Sequence, residues 1–511
     1  MLRYTPVRIA VSNLYWSTLG GGEQFAGGIA TALREHHDVE LIGPDDIDLP
    51  RFEERLGIDL RGLPLRRIDQ ESDVTALSGH YDLLVNTTYQ STAVNRARHG
   101  LYVVHFPGEV AGPGQRRKDA WRRAVGHRMP PTIVLRSGFY QPDGHGGPRR
   151  SDGDGLIDVY AAPGTPVTLS VRAEQAATVE LWDRQILLAR AELEAGEPTD
   201  LTFASSGAWP QQVTLESGTY RHEARPGVVW RYGVALTGVA LDGRQEPAPP
   251  DRLRTKLLVP NRQGHLDTYD AIASNSRFTA TWVQRLWGRP SEVLYPPVRS
   301  APPSGAAKEP IILNIGRFFD PRRGHSKKQL EMVKAFRRLH ESGRIEGWWL
   351  HLVGGCSPED RTYALAVKRE ALGLPVHVHL SAPGSVLTDL LERASIYWHA
   401  GGLGEDPETH PDRFEHFGIS VVEAMGAGLV PVVFGAAGPA EVVRDGVDGL
   451  QFRSLDELEA FTAGLVRDPA RRSALAASAT HRAADFAPAA FARRLNALVD
   501  GLVSTARPAS A

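Results

Sequence analysis

One stretch near the start constrains the fold of this chain more than any other. It runs VRIAVS (7–12), Gly20-Gly21-Gly22, GGEQFAGGIATALREH (21–36) and VELI (39–42). The two outer runs are short, apolar and rich in β-branched residues, as buried strands are. Between them Phe25, Ile29 and Leu33 recur every four residues and make one helix face. Strand, glycine-rich turn, helix and strand form a βαβ unit, in which the two strands lie parallel and the helix covers the sheet. The chain therefore opens as an α/β domain. DLLVN (82–86) and LYVVHF (101–106) add further strands to it.

From about residue 131 to 255 the pattern changes. TPVTLSVRAE (165–174), ATVELWD (177–183), DLTFAS (200–205), QQVTLES (211–217) and VWRYGVALTGVAL (229–241) alternate apolar and polar residues. Such segments are antiparallel strands with one wet face, and a β-sandwich is the simplest way to pair them. Residues 185–195 are ambiguous, with a helical pattern among strands. QPDGHGGPRRSDGDG (141–155) and EPAPPDR (246–252) read as linker-like edges.

After ASNSRFTATWVQRLWG (273–288) and the Pro-rich YPPVRSAPPSG (295–305), the α/β alternation returns. IILNIGRF (311–318), WWLHLVGG (348–355), VHVHLSA (376–382), IYWHAGG (396–402) and VPVVFGA (430–436) are strands separated by helical patterns. The expected fold class is α/β: two doubly wound Rossmann-like domains facing a cleft, plus an inserted all-β domain. The boundaries are 1–130 and 256–300 for the first domain and 131–255 for the insert. The second domain is 306–480, and a helix at 481–503 crosses back to the first. In such folds ligands bind beyond the carboxyl ends of the strands.

The 58 Lys and Arg against 60 Asp and Glu leave a net charge of −2, unlike the basic surplus of a nucleic-acid binder. The single cysteine, Cys356, excludes an internal disulfide and a multi-cysteine zinc site. MLRYTPVRIAVSN lacks the apolar core of a signal peptide, and no apolar run is long enough to span a bilayer. A cytoplasmic chain is expected. QRRKDAWRRAVGHRM (115–129), basic around Trp121, is either a solvated helix face or a peripheral contact with an anionic membrane.

Four motifs carry chemistry. In FEHFGISVVEAMGAGLVPVVFGAAGPAEVV (414–443), Phe417-Gly418 opens a helix with Ile419, Val422 and Met425 apolar on one side. Glu415 stands in the turn before it and Glu423 along it. Unpaired N–H groups and the positive dipole end of a helix suit a phosphate, and a neighbouring carboxylate accepts from sugar hydroxyls. The plain alternative is two surface glutamates. In NIGRFFDPRRGHSKKQLEMVKAFRRL (314–339), Arg317 follows a strand end, while Lys327 and Lys328 begin a helix. Fixed cations at such a place stabilise a departing diphosphate without a metal; a solvated basic stretch is the alternative. Gly21 and Gly22 let backbone approach a ligand closely. His105 ends a strand, where a satisfied structural histidine is equally in keeping.

The wording of the Glu415–Glu423 segment resembles the signature of retaining GT-B glycosyltransferases of family 4. It is most like the mannosyltransferases that build lipid-linked oligosaccharides. The resemblance covers about 1–110 and 265–500. It implies that Glu415 and His105 contact the transferred hexose and that Glu423 holds the ribose. Gly418 and Ile419 would present backbone N–H groups near the phosphates, and Phe417 is counted with them at the donor. Gly21 and Gly22 would close over the donor diphosphate. Arg317 and one lysine, Lys327 by count from the helix with Lys328 the other choice, would bind the leaving group. It further implies a GDP- or UDP-sugar donor, a glycan or lipid-linked acceptor, retention by same-face attack, and no metal or resident cofactor. A sugar-nucleotide epimerase of the same fold, or a non-catalytic carbohydrate-binding protein acting through the insert, are the rival readings. For the latter, Trp182, Trp209 and Trp230 are the candidate contacts. Asp152, Asp154 and Asp158 in RSDGDGLID (150–158) hint at calcium but lack the full EF-hand pattern.

Overall fold

The computed structural model describes residues 6–44, 47–108, 131–140, 148–208, 210–225, 228–247, 264–299 and 307–504. The first domain begins with β1 (Arg8–Ser12), β2 (Asp38–Gly43), β3 (Leu65–Arg67), β4 (Leu83–Asn86) and β5 (His99–Val104). The chain then enters the insert. Its strands are β6 (Thr132–Phe139), β7 (Arg149–Tyr160), β8 (Pro166–Arg172), β9 (Ala177–Asp183), β10 (Ile186–Leu193), β11 (Pro198–Ala204), β12 (Gln211–Ser217), β13 (Tyr220–Arg225), β14 (Val228–Tyr232), β15 (Ala235–Leu241) and β16 (Arg244–Pro247). β17 (Ala271–Ser274) and β18 (Glu292–Val293) return to the first sheet, giving the parallel order β18-β17-β5-β4-β1-β2-β3.

The first helix, Gly21–Leu33, lays Phe25, Ile29 and Leu33 on Ile9 and Val11 of β1. The same core takes in Phe491, Leu495 and Val499 of the helix Pro488–Ser504, which Pro488 opens. Helix and linker meet closely at one point. A Cβ added to Gly28 would lie 2.3 Å from Pro297 Cγ, which leaves room for glycine only.

The second domain contains β19 (Ile311–Ile315), β20 (Trp349–Gly354), β21 (Val376–Leu380), β22 (Ile396–His399), β23 (Val430–Phe434) and β24 (Leu450–Phe452). Their order, β21-β20-β19-β22-β23-β24, is parallel throughout and reverses at β19, where a Rossmann fold opens its ligand crevice. Helix Gln329–Glu341 buries Met332, Val333, Phe336 and Leu339, whereas Leu330 is only partly covered. Lys308 Nζ donates to the carbonyls of Leu391, Glu392 and Ala427, capping two helix ends; burial lowers its pKa to about 8.

The insert is antiparallel. β10-β9-β12-β7 and β15-β8-β11 share the long β7, and residues of both halves enclose one apolar core around Ile157, Leu169, Leu181, Val213 and Val239. The structure sharpens three readings. In the ambiguous 185–195 stretch, residues 186–193 are strand, because the cross-strand partner β9 overrides the helical propensity of ILLARAEL. Within 141–155, residues 149–155 belong to β7 rather than to a linker, and 141–147 lie outside the described residues. Residues 229–241 form two strands, since the chain breaks pairing at Gly233-Val234.

The insert docks on the first domain through polar contacts. Gln185 Nε2 donates to the Tyr81 carbonyl at 2.8 Å, Arg184 donates to that of Arg98 at 3.1 Å, and Arg96 pairs with Glu216. The two α/β domains meet through Glu441, whose carboxylate accepts from the N–H groups of Arg277 (2.9 Å) and Phe278 (2.6 Å). Those are orphan donors at the start of helix Arg277–Trp287. Tyr295 donates to the same carboxylate at 3.1 Å. Among the described residues no helix is long and apolar enough to cross a membrane, and the basic stretch 115–129 lies outside them.

Candidate active site

β19 ends at Ile315, and Lys327 packs closely on the next residue, Gly316: a Cβ there would stand 2.6 Å from Lys327 Cγ. Lys327 Nζ pairs with the Glu415 carboxylate and lies 3.4 Å from His325 Nε2. Glu415 also accepts from His399 Nε2 at 3.1 Å, His399 being the last residue of β22 and fully buried. Burial alone would push the Glu415 carboxyl up, but Lys327 and the histidines His399 and His325 hold it well below the usual carboxylate range. Burial lowers the pKa of His399 and His325 and takes that of His416 to about 4. The result is one ionised carboxylate and one ammonium at the carboxyl end of the sheet.

Lys328 does something else. The helix starts at Gln329, not at the lysines, and Lys328 precedes it in the left-handed region with φ of 60°. That backbone turns its side chain away from Glu415 to Glu405 Oε1 at 2.6 Å, where Arg413 provides a second cation at 3.1 Å. The structure thus brings Lys327 and not Lys328 to Glu415. Arg317 is exposed, and its side chain makes no hydrogen bond or ion pair among the described residues. It stands beside Gly355, whose added Cβ would lie 3.9 Å from Arg317 Cγ.

Gly418 has φ of 97°, a conformation that favours glycine, and it turns the chain from Glu415 into helix Ile419–Gly426. Phe417 stands just before this turn. Its ring is buried against Tyr295 (5.7 Å) and Phe486 (5.6 Å), leaving only its backbone for a ligand. Glu423 has no hydrogen-bond partner among the described residues, and burial raises its pKa to about 7.

The first domain faces this end of the second. A Cβ on Gly21 would come 3.1 Å from Ile419 Cδ1, and one on Gly22 would come 3.6 Å from His105 Cε1. His105 Nε2 shares a hydrogen with the Thr87 carbonyl at 3.0 Å, and burial lowers its pKa. Its neighbour Phe106 stacks on His416 with centroids 4.1 Å apart. Gly21, Gly22, His105, Glu415, Gly418, Ile419 and Lys327 therefore share one interdomain region.

Sequence reading missed His399, His325 and His416. The visible signal was that His399 ends an apolar strand (IYWHAGG) and that His416 follows Glu415 directly. Among the tryptophans named for the insert, Trp182 is engaged at the seam: its Nε1 donates to Glu180 at 3.0 Å and the Arg96 guanidinium lies 4.3 Å above its ring. Trp209 and the Trp230 side chain lie outside the described residues.

Residues 300–482 match the family model "Glycosyl transferases group 1". The chain is 30% identical, over 35% of its length, to the GDP-Man:Man(3)GlcNAc(2)-PP-Dol alpha-1,2-mannosyltransferase of Neurospora crassa. It spans about a third of the length of the curated relatives it matches. HepE of Anabaena, solved in complex with UDP-glucose, superposes with a TM-score of 0.51 at 14% identity, over 97% of this chain and 100% of that one. Sucrose-phosphate synthase from Thermosynechococcus elongatus does so with a TM-score of 0.50 at 14% identity, over 98% and 100%. The architecture is thus GT-B, two Rossmann-like domains carrying an additional antiparallel domain, and the second of the two matches the glycosyl transferases group 1 model.

Proposed function

We propose that this chain is a glycosyltransferase that moves a hexose, mannose by preference, from a nucleotide-diphosphate sugar to a glycan or lipid-linked acceptor. The observation that carries this reading is the ion pair between Lys327 and Glu415 at the start of helix Ile419–Gly426, opposite Gly21, Gly22 and His105. A pyrophosphate laid on that helix start competes with Glu415 for the Lys327 ammonium. Glu415, still ionised and still held by His399, is then free to accept from a sugar hydroxyl. Arg317, exposed and uncommitted, supplies a second cation to the leaving group.

Glu423 fits the nucleoside end. A half-buried carboxyl without a partner is costly to ionise, and two vicinal ribose hydroxyls donating to it offset that cost. The GDP-mannose in the relatives' name and the UDP-glucose bound by HepE support a sugar-nucleotide donor.

In the reaction the acceptor oxygen bonds to the anomeric carbon on the face from which the diphosphate departs. The carbon–oxygen bond to the phosphate breaks, and the acceptor proton passes to the departing phosphate oxygen. The sugar keeps its anomeric configuration. Lys327 and Arg317 stabilise the charge that grows on the diphosphate, so this reading needs no metal. The enzyme would work in the cytoplasm.

Calorimetry with GDP-, UDP-, ADP- and dTDP-sugars tests the donor. Proton NMR of the transfer product, run with and without EDTA, then reads anomeric configuration and metal dependence. The reading fails if no sugar nucleotide binds, or if the donor is epimerised in the absence of any acceptor.

A further inference from the structure

The seam between the insert and the first domain holds a cavity of about 460 Å³. Asp69 and Asp73 line it from the first domain; Asp154, Glu180, Glu216 and Arg231 line it from the insert. Five carboxylates thus face one guanidinium.

Four of the five have partners. Asp73 accepts from the N–H groups of Asp69 and Gln70, at 2.9 and 3.1 Å. Asp69 lies 3.6 Å from Arg231. Glu180 accepts from Trp182 and pairs with Arg190 at 3.3 Å, and Glu216 pairs with Arg96. Asp154 is different. It is 9% exposed, and its carboxyl has no hydrogen bond or ion pair among the described residues. Burial, and then the charges of Glu216 and Asp152, push it well above the usual carboxylate range, with Arg96 offsetting part of the effect. A buried carboxyl with no partner, in a cavity dominated by negative charge, is a site short of a cation.

We propose that this cavity binds a small organic ammonium, an amino sugar or a polyamine, with its charged nitrogen on the Asp154 carboxylate. Among the described residues no three acidic or histidine side chains converge as a metal ion requires. An ammonium needs only one carboxylate and a few further acceptors, which Ser217 and Thr219 add as hydroxyls. The site lies apart from the interdomain region holding Glu415 and does not depend on the transfer reaction.

The test is calorimetry on the full chain with spermidine, glucosamine, N-acetylglucosamine and calcium chloride. Spermidine or glucosamine should bind while the neutral N-acetylglucosamine does not. Heat from glucosamine assigns an amino sugar, and heat from spermidine alone assigns a polyamine. D154N keeps the shape, removes the charge and should weaken binding by about tenfold or more. Gly218 lines the cavity, and a Cβ built there meets no atom within 4 Å. G218W places an indole on a residue lining the cavity and should weaken binding without altering Asp154. The proposal is overturned if neither amine binds at ~10 mM. It is equally overturned if N-acetylglucosamine binds as well as glucosamine, if calcium alone binds, or if G218W leaves affinity unchanged.

Discussion

Glu423 offers a sharp test of the site's electrostatics, because its carboxyl is raised by burial alone. A carboxyl whose folded pKa exceeds its unfolded value is preferentially protonated in the folded state. Its contribution is therefore unfavourable at high pH. The cost is nearly absent below the unfolded value of 4.5 and complete above the folded value of about 7. At 1.36 kcal/mol per unit, the rise from 4.5 to about 7 amounts to about 3 kcal/mol. Glu423→Gln removes the ionisation and keeps the shape. The variant should match the wild type to within ~0.5 kcal/mol at pH 4.5 and exceed it by about 3 kcal/mol at pH 8.5. Urea titrations of both proteins at the two pH values read the difference directly, since every other titrating group cancels. A nucleoside diphosphate added at saturation should shrink the gap at pH 8.5, because ribose hydroxyls stabilise the wild-type carboxylate and lose an acceptor charge in the variant. If the gap were the same at both pH values, Glu423 would not be the unpartnered, desolvated acid described above.

Other substitutions separate the cations. Arg317→Ala should lower turnover by about 10²-fold or more while shifting stability by less than ~0.5 kcal/mol, because the side chain is exposed; steady-state kinetics beside thermal melts check both halves. Lys327→Met strands the Glu415 carboxylate and should cost about 3–5 kcal/mol. The sign with pH is set: a depressed carboxyl stabilises above its ordinary pKa and loses that as pH falls, so without Lys327 the acid-unfolding midpoint should move to higher pH. Lys328→Met removes one of two cations on Glu405 and should destabilise without reducing turnover as Arg317→Ala does. Phe491→Ala empties the core shared with Phe25 and should cost about 3–5 kcal/mol by denaturant titration.

Much of the α/β framework could be read from the chain because fully buried parallel strands are written as unbroken apolar runs. IILNI and VPVVF leave little else to be. The insert was less transparent. ILLARAEL has good helix formers, and only its neighbour β9 makes it a strand. Arg149–Tyr160 is a strand rich in Arg, Asp and Gly, because it serves two half-sheets and a domain seam. In the interdomain region, Glu415 and Lys327 stood out through local wording. The choice between Lys327 and Lys328 rested on one backbone turn at φ 60°, which no spacing rule encodes. His399 escaped because its role depends on a residue in another loop, so only the assembled sheet reveals it.

Helix Pro488–Ser504 has a consequence for how the molecule comes into being. Phe491, Leu495 and Val499 are synthesised after every strand of both sheets, yet they form one wall of the core that Ile9 and Phe25 begin. On a ribosome, where domains generally fold as they emerge, the earliest domain must wait with an open apolar face until the latest helix arrives. The second domain, contiguous in sequence, has no such wait. The order of folding should therefore run opposite to the order of translation.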